Sequence, residues 1–373
     1  MQLTALSVAA GDSPDESLDA KLRAPATPLV AVDPFFSIWS AADRLTDAET
    51  THWSGKPAPI SIVVGVEGKK YRLLGAEPKE IPAAREIRRR VMPLSTKVTY
   101  AAEDAEVALS FWQAAVPFDL DVLSRPVTYV GVSAQKGERT VPTDVTVSVS
   151  GLLTSDDDFA QVEGTTGTFG ARTYAKIGRV LQKPLSRAAD QVRIDWGYAY
   201  IVAPDAAQFS KSGFGEDGRA TARDGRVTLS WRSEDEWPEP FLLAYDDRVS
   251  LKFFDHHAQA WWRRGGKSFA TMIGEAYDDL REKGAEWYCY DKELVDGFRR
   301  AGGRKYAELC ALAWRQSFAA CKVVAGKDGQ PLMFSKENDS NGCMGTVDLI
   351  YPQVPILLMT DAGFVRASLE PIM

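Results

Sequence analysis

Alternating apolar residues dominate the first two thirds of the chain. Ile60, Ile62, Val64 and Val66 occupy every second position, a polar turn follows at EGK (67–69), and Tyr71 and Leu73 resume the alternation. A strand shows its side chains to opposite faces in turn, so this pattern predicts a hairpin with one buried face. The same period marks Val107, Leu109 and Phe111, then Val145, Val147 and Val149, then Val227, Leu229 and Trp231. In VRIDWGYAYIVA it places Val192, Ile194, Trp196, Tyr198, Tyr200 and Val202 on one face. Such runs extend from Val30 to about Asp247, separated by Gly, Asp and Pro clusters, and predict an antiparallel β-sandwich.

After about Asp255 the period lengthens. Met272, Ile273, Ala276, Tyr277 and Leu280 follow helical spacing, as do Tyr306, Cys310, Ala313, Trp314, Ser317 and Cys321. Gly302 and Gly303 predict a helix break between Phe298 and Tyr306, and Gly326, Gly329 and Pro331 predict the end of the next helix and the start of a loop. The expected organisation is a flexible lead-in over residues 1–27, a sandwich domain over 28–250, and a helical domain over 251–373. About four helical segments are too few to close a helical layer, and the final DAGFVRASLEPIM stops without a cap, so the expectation is a C-terminally truncated helical domain.

Composition narrows the function classes. An apolar fraction of 45% and a charged fraction of 25% describe an ordinary globular chain. A formal charge of -7 lacks the basic field that a nucleic acid or an anionic membrane requires, so the expected partner is a small molecule. No apolar run reaches the length of a membrane span, and the start MQLTALSVAAGDSPDES lacks the features of a signal peptide. The four cysteines, Cys289, Cys310, Cys321 and Cys343, have no CxxC spacing and are expected as buried free thiols. With three histidines, His52, His256 and His257, a multi-histidine metal centre is disfavoured.

The densest chemistry lies in FSKENDSNGCMGTVDLIYP (334–352). Counted from Glu337, this stretch puts Asp339 third, Asn341 fifth, Gly342 sixth and Asp348 twelfth, an approximation to a calcium loop. Glu stands where the pattern has Asp, Asp where it has Glu, and no helix enters directly, so neither metal nor cofactor is assigned. A nucleophilic Cys343 would need a base or a positive environment, and no His is near in sequence; a buried thiol under the loop is the plainer expectation. Paired carboxyl groups fit best. Glu337 and Asp348, facing one cavity, would divide acid and base roles in hydrolysis of an amide or a glycosidic bond, as the catalytic pair. Lys336, Asn338, Asn341 and Cys343 would bind substrate, with Lys336 holding a carboxylate or a developing anion. The competing reading is that these Asn, Asp and Ser residues satisfy their own backbone in turns.

Other polar segments read as structural. Trp39 is expected to pack beside a surface ion pair of Asp43 and Arg44, and His52 to pack at a strand edge. Asp195 is expected to be solvated or salt-bridged, and HHAQAWWRR (256–264) to pack between domains.

Six stretches in order, DPFFSIWSAADRLTD (33–47), LSRPVTYV (123–130), RIDWGY (193–198), FLLAYDD (241–247), AGGRKYAELCALAWRQ (301–316) and KENDSNGCMGTVDLIYP (336–352), resemble the glutaminase A family of secreted microbial and fungal proteins. The resemblance runs from about residue 28 to the end. It implies a sandwich-type region followed by an (α/α)6 six-hairpin toroid, hydrolysis of L-glutamine to glutamate and ammonia without an obligatory cofactor, and an extracellular or periplasmic location. It implies no catalytic list; the roles of Glu337 and Asp348 come from the chemistry above. A glycoside hydrolase acting on an oligosaccharide, and a non-catalytic carbohydrate- or partner-binding fragment, are the alternative functions.

Overall fold

The computed structural model describes residues 24–186, 193–235, 238–337 and 342–373. Two antiparallel sheets face each other. The larger, of ten strands, runs in the order Arg219–Thr221, Gln161–Phe169, Arg172–Arg179, Tyr198–Val202, Phe241–Asp246, Val127–Lys136, Ala105–Trp112, Ser95–Ala102 and Arg85–Val91, with Arg139–Val141 paired to Val127–Lys136. The smaller, of five strands, runs Gln208–Ser212, Arg226–Ser233, Thr143–Ser150, Ile60–Val66 and Lys69–Leu74. The Ile60–Val66 and Lys69–Leu74 hairpin closes at Glu67 and Gly68, both at positive φ, as the spacing predicts. Ile62, Val64, Val147, Val149, Val227 and Leu229 face Val107, Leu109 and Ile201 across the sandwich core.

The large sheet is buried on its other face as well. In Phe241–Asp246, Leu243 belongs to the sandwich core, while Leu242 and Ala244 pack against the helices. Strand alternation thus feeds two cores, which is why FLLAY is apolar at every position. Each such side chain contributes on the order of 1.5–3 kcal/mol of transfer free energy.

The single-face reading of VRIDWGYAYIVA is corrected. Ile194 and Trp196 lie in the sandwich core, whereas Tyr198, Tyr200 and Val202 contact the helical side; Val192 lies outside the described residues. Gly197 causes the switch. Its φ is 85°, and a Cβ there would meet the Asp246 carbonyl oxygen at 2.4 Å, so the chain turns at this residue and the strand begins only at Tyr198.

A single helical turn, α1 (Leu120–Leu123), is capped by the Asp119 carboxylate. The long segment α2 (Phe269–Ala319) starts at Ser268, whose hydroxyl accepts the Thr271 N–H, and buries Met272, Ile273, Ala276, Tyr277 and Leu280 as their spacing predicts. At Gly303, φ 76° and ψ -172° fold the segment back on itself. The expected break is therefore present, and it brings the Tyr290 and Trp314 rings to 6.1 Å. The face beyond the break differs from expectation. Ala307, Ala311, Trp314, Arg315 and Phe318 are buried, Tyr306 is exposed, and Cys321 leaves the helix altogether. The apolar stretch after Ala319, with Val323 and Val324 at its centre, forms a hairpin, Cys321–Ala325 with Pro331–Ser335, where a helix end and a loop were expected.

Helices α3 (Val347–Thr360) and α4 (Ala362–Leu369) complete the chain, and Phe364 of α4 packs edge-on to Phe318. Polar contacts fix α2 on the large sheet: Tyr129 Oη donates to the Ala276 carbonyl at 2.9 Å, and Arg125 pairs with Glu275 and Asp279. Trp262 is fully buried between sheet and helices, with Arg263 over its ring, as the interdomain reading of HHAQAWWRR requires. No helix among the described residues is long and apolar enough to cross a membrane.

Candidate functional site

The quoted loop begins where the Cys321–Ala325 and Pro331–Ser335 hairpin ends. Its two ends are tied together: Gly345 N–H donates to the Ser335 carbonyl at 2.7 Å, and Glu337 N–H to the Cys343 carbonyl at 2.9 Å. Lys336 N–H donates to the Ala320 carbonyl at 2.9 Å, which anchors the loop to the end of α2. Lys336, Glu337 and Cys343 are thereby brought together. Asn338, Asp339 and Asn341 lie outside the described residues.

Lys336 is fully buried. Its Nζ donates to the Glu337 carbonyl at 2.7 Å and stands 5.3 Å from the centre of the Phe35 ring. Phe35 is held by DPFF itself, since the Asp33 carboxylate accepts the Phe35 N–H at 2.8 Å and the ring meets Trp196 edge-on. Burial lowers the Lys336 ammonium to about 8, against the opposing charges of Glu337, Asp156, Cys343 and Asp33. An ammonium that titrates near neutrality can stabilise an anion below that pH and accept a proton above it.

His52 lies in the same polar region. Its Nε2 is 3.0 Å from the Pro34 carbonyl and its Nδ1 is 2.8 Å from Ser54 Oγ. Burial pushes it down to about 3, the Pro34 carbonyl opposes this, and the charges of Lys336 and Arg193 add to it. The ring is neutral at ordinary pH and serves packing, as its sequence context predicts. Beyond it, Arg193 donates to the Asp156 carboxylate at 3.1 Å and to the Pro57 carbonyl at 2.8 Å. Asp195 is buried and paired with Arg179, which removes the solvated alternative.

Of the proposed carboxyl pair, Glu337 is half-buried beside Lys336, whereas Asp348 occupies the exposed first turn of α3. Cys343 is exposed, which corrects the expectation of a thiol buried under the loop. The broader expectation of four buried thiols is corrected too. Cys289 is exposed and Cys310 half-exposed, and Cys321 alone is buried, its thiol pushed up to about 12 by burial with Gln353 opposing. Arg44 pairs with Asp47, which also accepts the Arg44 N–H in a local turn. Among the described residues there is no cluster of metal-ligating side chains.

Sequence reasoning missed two acids near the loop, the buried Asp33 and the half-buried Asp156. The signal was available in the first residue of DPFF, set between Val32 and Pro34, and in the acidic run Asp156–Asp158 ahead of Phe159. It missed Lys322 as well, which sits in an apolar strand and pairs with both Asp33 and Asp247.

A family model described as the glutaminase A six helical-hairpin domain matches residues 303–373, and two models described as domains of unknown function (DUF4964 and DUF5127) match residues 1–84 and 94–296. Glutaminase A of Aspergillus oryzae is 26% identical over 94% of this chain and 56% of its own length. A probable glutaminase of Arthroderma benhamiae is 22% identical over 95% of this chain and 47% of its own length. The chain therefore spans about half the length of the curated relatives it matches. With a sandwich followed by helices that the six-hairpin domain model matches, and with the family models in register along it, the chain belongs to the glutaminase A family.

Proposed function

We propose that this protein is a glutaminase-type hydrolase that converts L-glutamine to glutamate and ammonia. The observation that carries this reading is the match of residues 303–373 to the six-hairpin domain of glutaminase A, a segment that includes the polar loop. Two relatives that bear glutaminase names support it. In the reaction, water attacks the side-chain amide carbon, the C–N bond of the tetrahedral intermediate breaks, and ammonia leaves with a proton from a general acid.

Glu337 and Asp348 are the carboxyl pair in this reading. Their surroundings differ, one half-buried beside an ammonium and one in solvent, and unlike surroundings are what separate acid from base roles. Lys336 would stabilise the oxyanion, and Asn338, Asn341 and Cys343 would contact the substrate. Asp348 can serve only if bound substrate or another surface covers it. Placement outside the cell or in the periplasm belongs to the same reading, and fractionation of the source cells tests it.

The experiment is ammonia release from L-glutamine by the purified chain and by Glu337→Gln. Loss of about a hundredfold in the variant supports the assignment. Glutamine turnover that the variant leaves untouched removes Glu337 from the mechanism. Reducing sugar released from an oligosaccharide panel, with no ammonia, would replace the reading by a glycoside hydrolase. Calorimetric binding without turnover would replace it by a binding module.

A further inference from the structure

The outer face of the small sheet carries a second candidate site. A cavity of about 270 Å³ opens there, away from the loop and from α2, and Val63, Pro59, Pro78 and Ile81 supply its apolar wall. Its floor is a row of hydroxyls set by strand register, Ser61 opposite Ser148 and Ser148 opposite Thr228. These hydroxyls already bond locally: Thr228 Oγ1 donates to Ser148 Oγ at 3.1 Å, and Ser61 Oγ donates to the Glu77 carbonyl at 2.8 Å.

Charge is arranged in two signs around this floor. Arg226 enters from the end of its strand, and its Nη1 is buried without a hydrogen-bond partner among the described residues. The half-buried Arg226 residue lines the cavity, and a guanidinium there can take a carboxylate through paired, charge-assisted hydrogen bonds. Glu49 and Glu77 line the same cavity, and the backbone N–H groups of Ala76 and Glu77 support the Glu49 carboxylate. Burial raises the proton affinity of Glu49, and Arg226 opposes that shift. A carboxylate fixed in this way still has acceptor capacity toward the cavity.

We propose that this cavity binds a small zwitterion, a free α-amino acid, with its carboxylate on Arg226 and its ammonium between Glu49 and Glu77. The volume, near the lower bound of small-ligand pockets of about 300 Å³, suits a ligand of that size. The apolar wall accepts a side chain, and the opposed charges reject simple anions and simple cations alike. The proposal does not rest on the glutaminase reading, because none of the described residues of the Lys336–Asp348 loop lines the cavity.

Calorimetric titration of the chain with a panel of free L-amino acids tests this, with propionate and propylamine as single-charge controls. The expected result is saturable binding of at least one amino acid that weakens tenfold or more in Arg226→Gln and in Ser148→Phe, while Cys289→Ser, at an exposed position outside the cavity, binds as the parent does. The Ser148 variant fills the cavity without removing the guanidinium, so it separates occupancy of the site from a folding defect at Arg226. Three results would overturn the proposal: no binding by any amino acid, equal binding in Ser148→Phe, or propionate binding as tightly as the zwitterion.

Discussion

Lys322 Nζ lies 2.7 Å from Asp247 Oδ2, and the same ammonium contacts Asp33. All three side chains are buried. Lys322 comes from the hairpin after α2, whereas Asp33 and Asp247 follow two strands of the sandwich region, so one ammonium ties the helical side of the molecule to two separate points of the β side. Asp247 also accepts from Ser250 Oγ at 2.7 Å.

Replacing Lys322 with Met leaves two buried carboxylates without their cation. The expected cost is about 3–5 kcal/mol, read as a lower midpoint in chemical denaturation. Burial pushes Asp247 up, but the charge and hydrogen bond of Lys322, with Ser250, more than offset it, so its folded pKa lies below the unfolded value. That stability is present above the unfolded carboxylate pKa and is lost as pH falls through the folded one. Burial lowers Lys322, and the charges of Asp247 and Asp33 more than reverse this, so its contribution persists through ordinary alkaline pH and is lost only as pH rises through the raised folded value. A variant as stable as the parent at pH 7 would contradict this account.

Asp291 should act in the opposite direction. It accepts from Leu94 N–H and from Ser95 Oγ, each at 2.8 Å, yet burial raises it to about 7, with those bonds and Arg315 opposing. A carboxyl group with a raised folded pKa binds more protons in the native state, so stability declines as pH climbs from about 4 to about 7. The stability of Asp291→Asn relative to the parent should rise over that range by at least about 2 kcal/mol. Denaturation at pH 5 and pH 8 measures it, and a pH-independent difference would refute it.

Gly197→Ala tests the switch of faces. The substitution adds strain at φ 85° and a contact at 2.4 Å with the Asp246 carbonyl, and should cost about 3 kcal/mol or more. A melting temperature within a degree or two of the parent would show that the turn at Gly197 tolerates a side chain.

If Lys336 stabilises the oxyanion, it must be charged. With the group lowered to about 8 by burial, kcat/KM for glutamine should fall as pH rises through 8. Lys336→Met should lose that alkaline limb along with about a hundredfold in rate. A pH profile unchanged in shape in the variant would assign the limb to another group.

Thiol labelling checks the cysteines. Cys289 and Cys343 are exposed and should react in the native protein, whereas Cys321, buried with its thiol pushed up to about 12, should react only on unfolding. Fast labelling of Cys321 in the native state would contradict the packing of the hairpin against Gln353.

The chain's own pattern determined a good deal. Two-residue alternation marked Ile60–Val66 and Val145–Val149 as strands with one buried face, 3.6-residue spacing marked Met272 to Leu280 as helix, and Gly302 and Gly303 marked the helix break. Each of these depends on neighbours a few positions apart, and local geometry carries them. What only the tertiary structure decided involves partners far apart in sequence. Which face of Tyr198–Val202 meets which core depends on a second layer over the large sheet, and whether Cys321 ends a helix or begins a strand depends on its pairing with Ser335. The polar region around Lys336 gathers Asp33, His52 and Asp156 from distant segments, and no spacing rule links a residue to others hundreds of positions away. Burial likewise converts Lys336 from an ordinary surface cation into one that titrates near neutrality, and burial belongs to the packed chain as a whole, not to its order of residues.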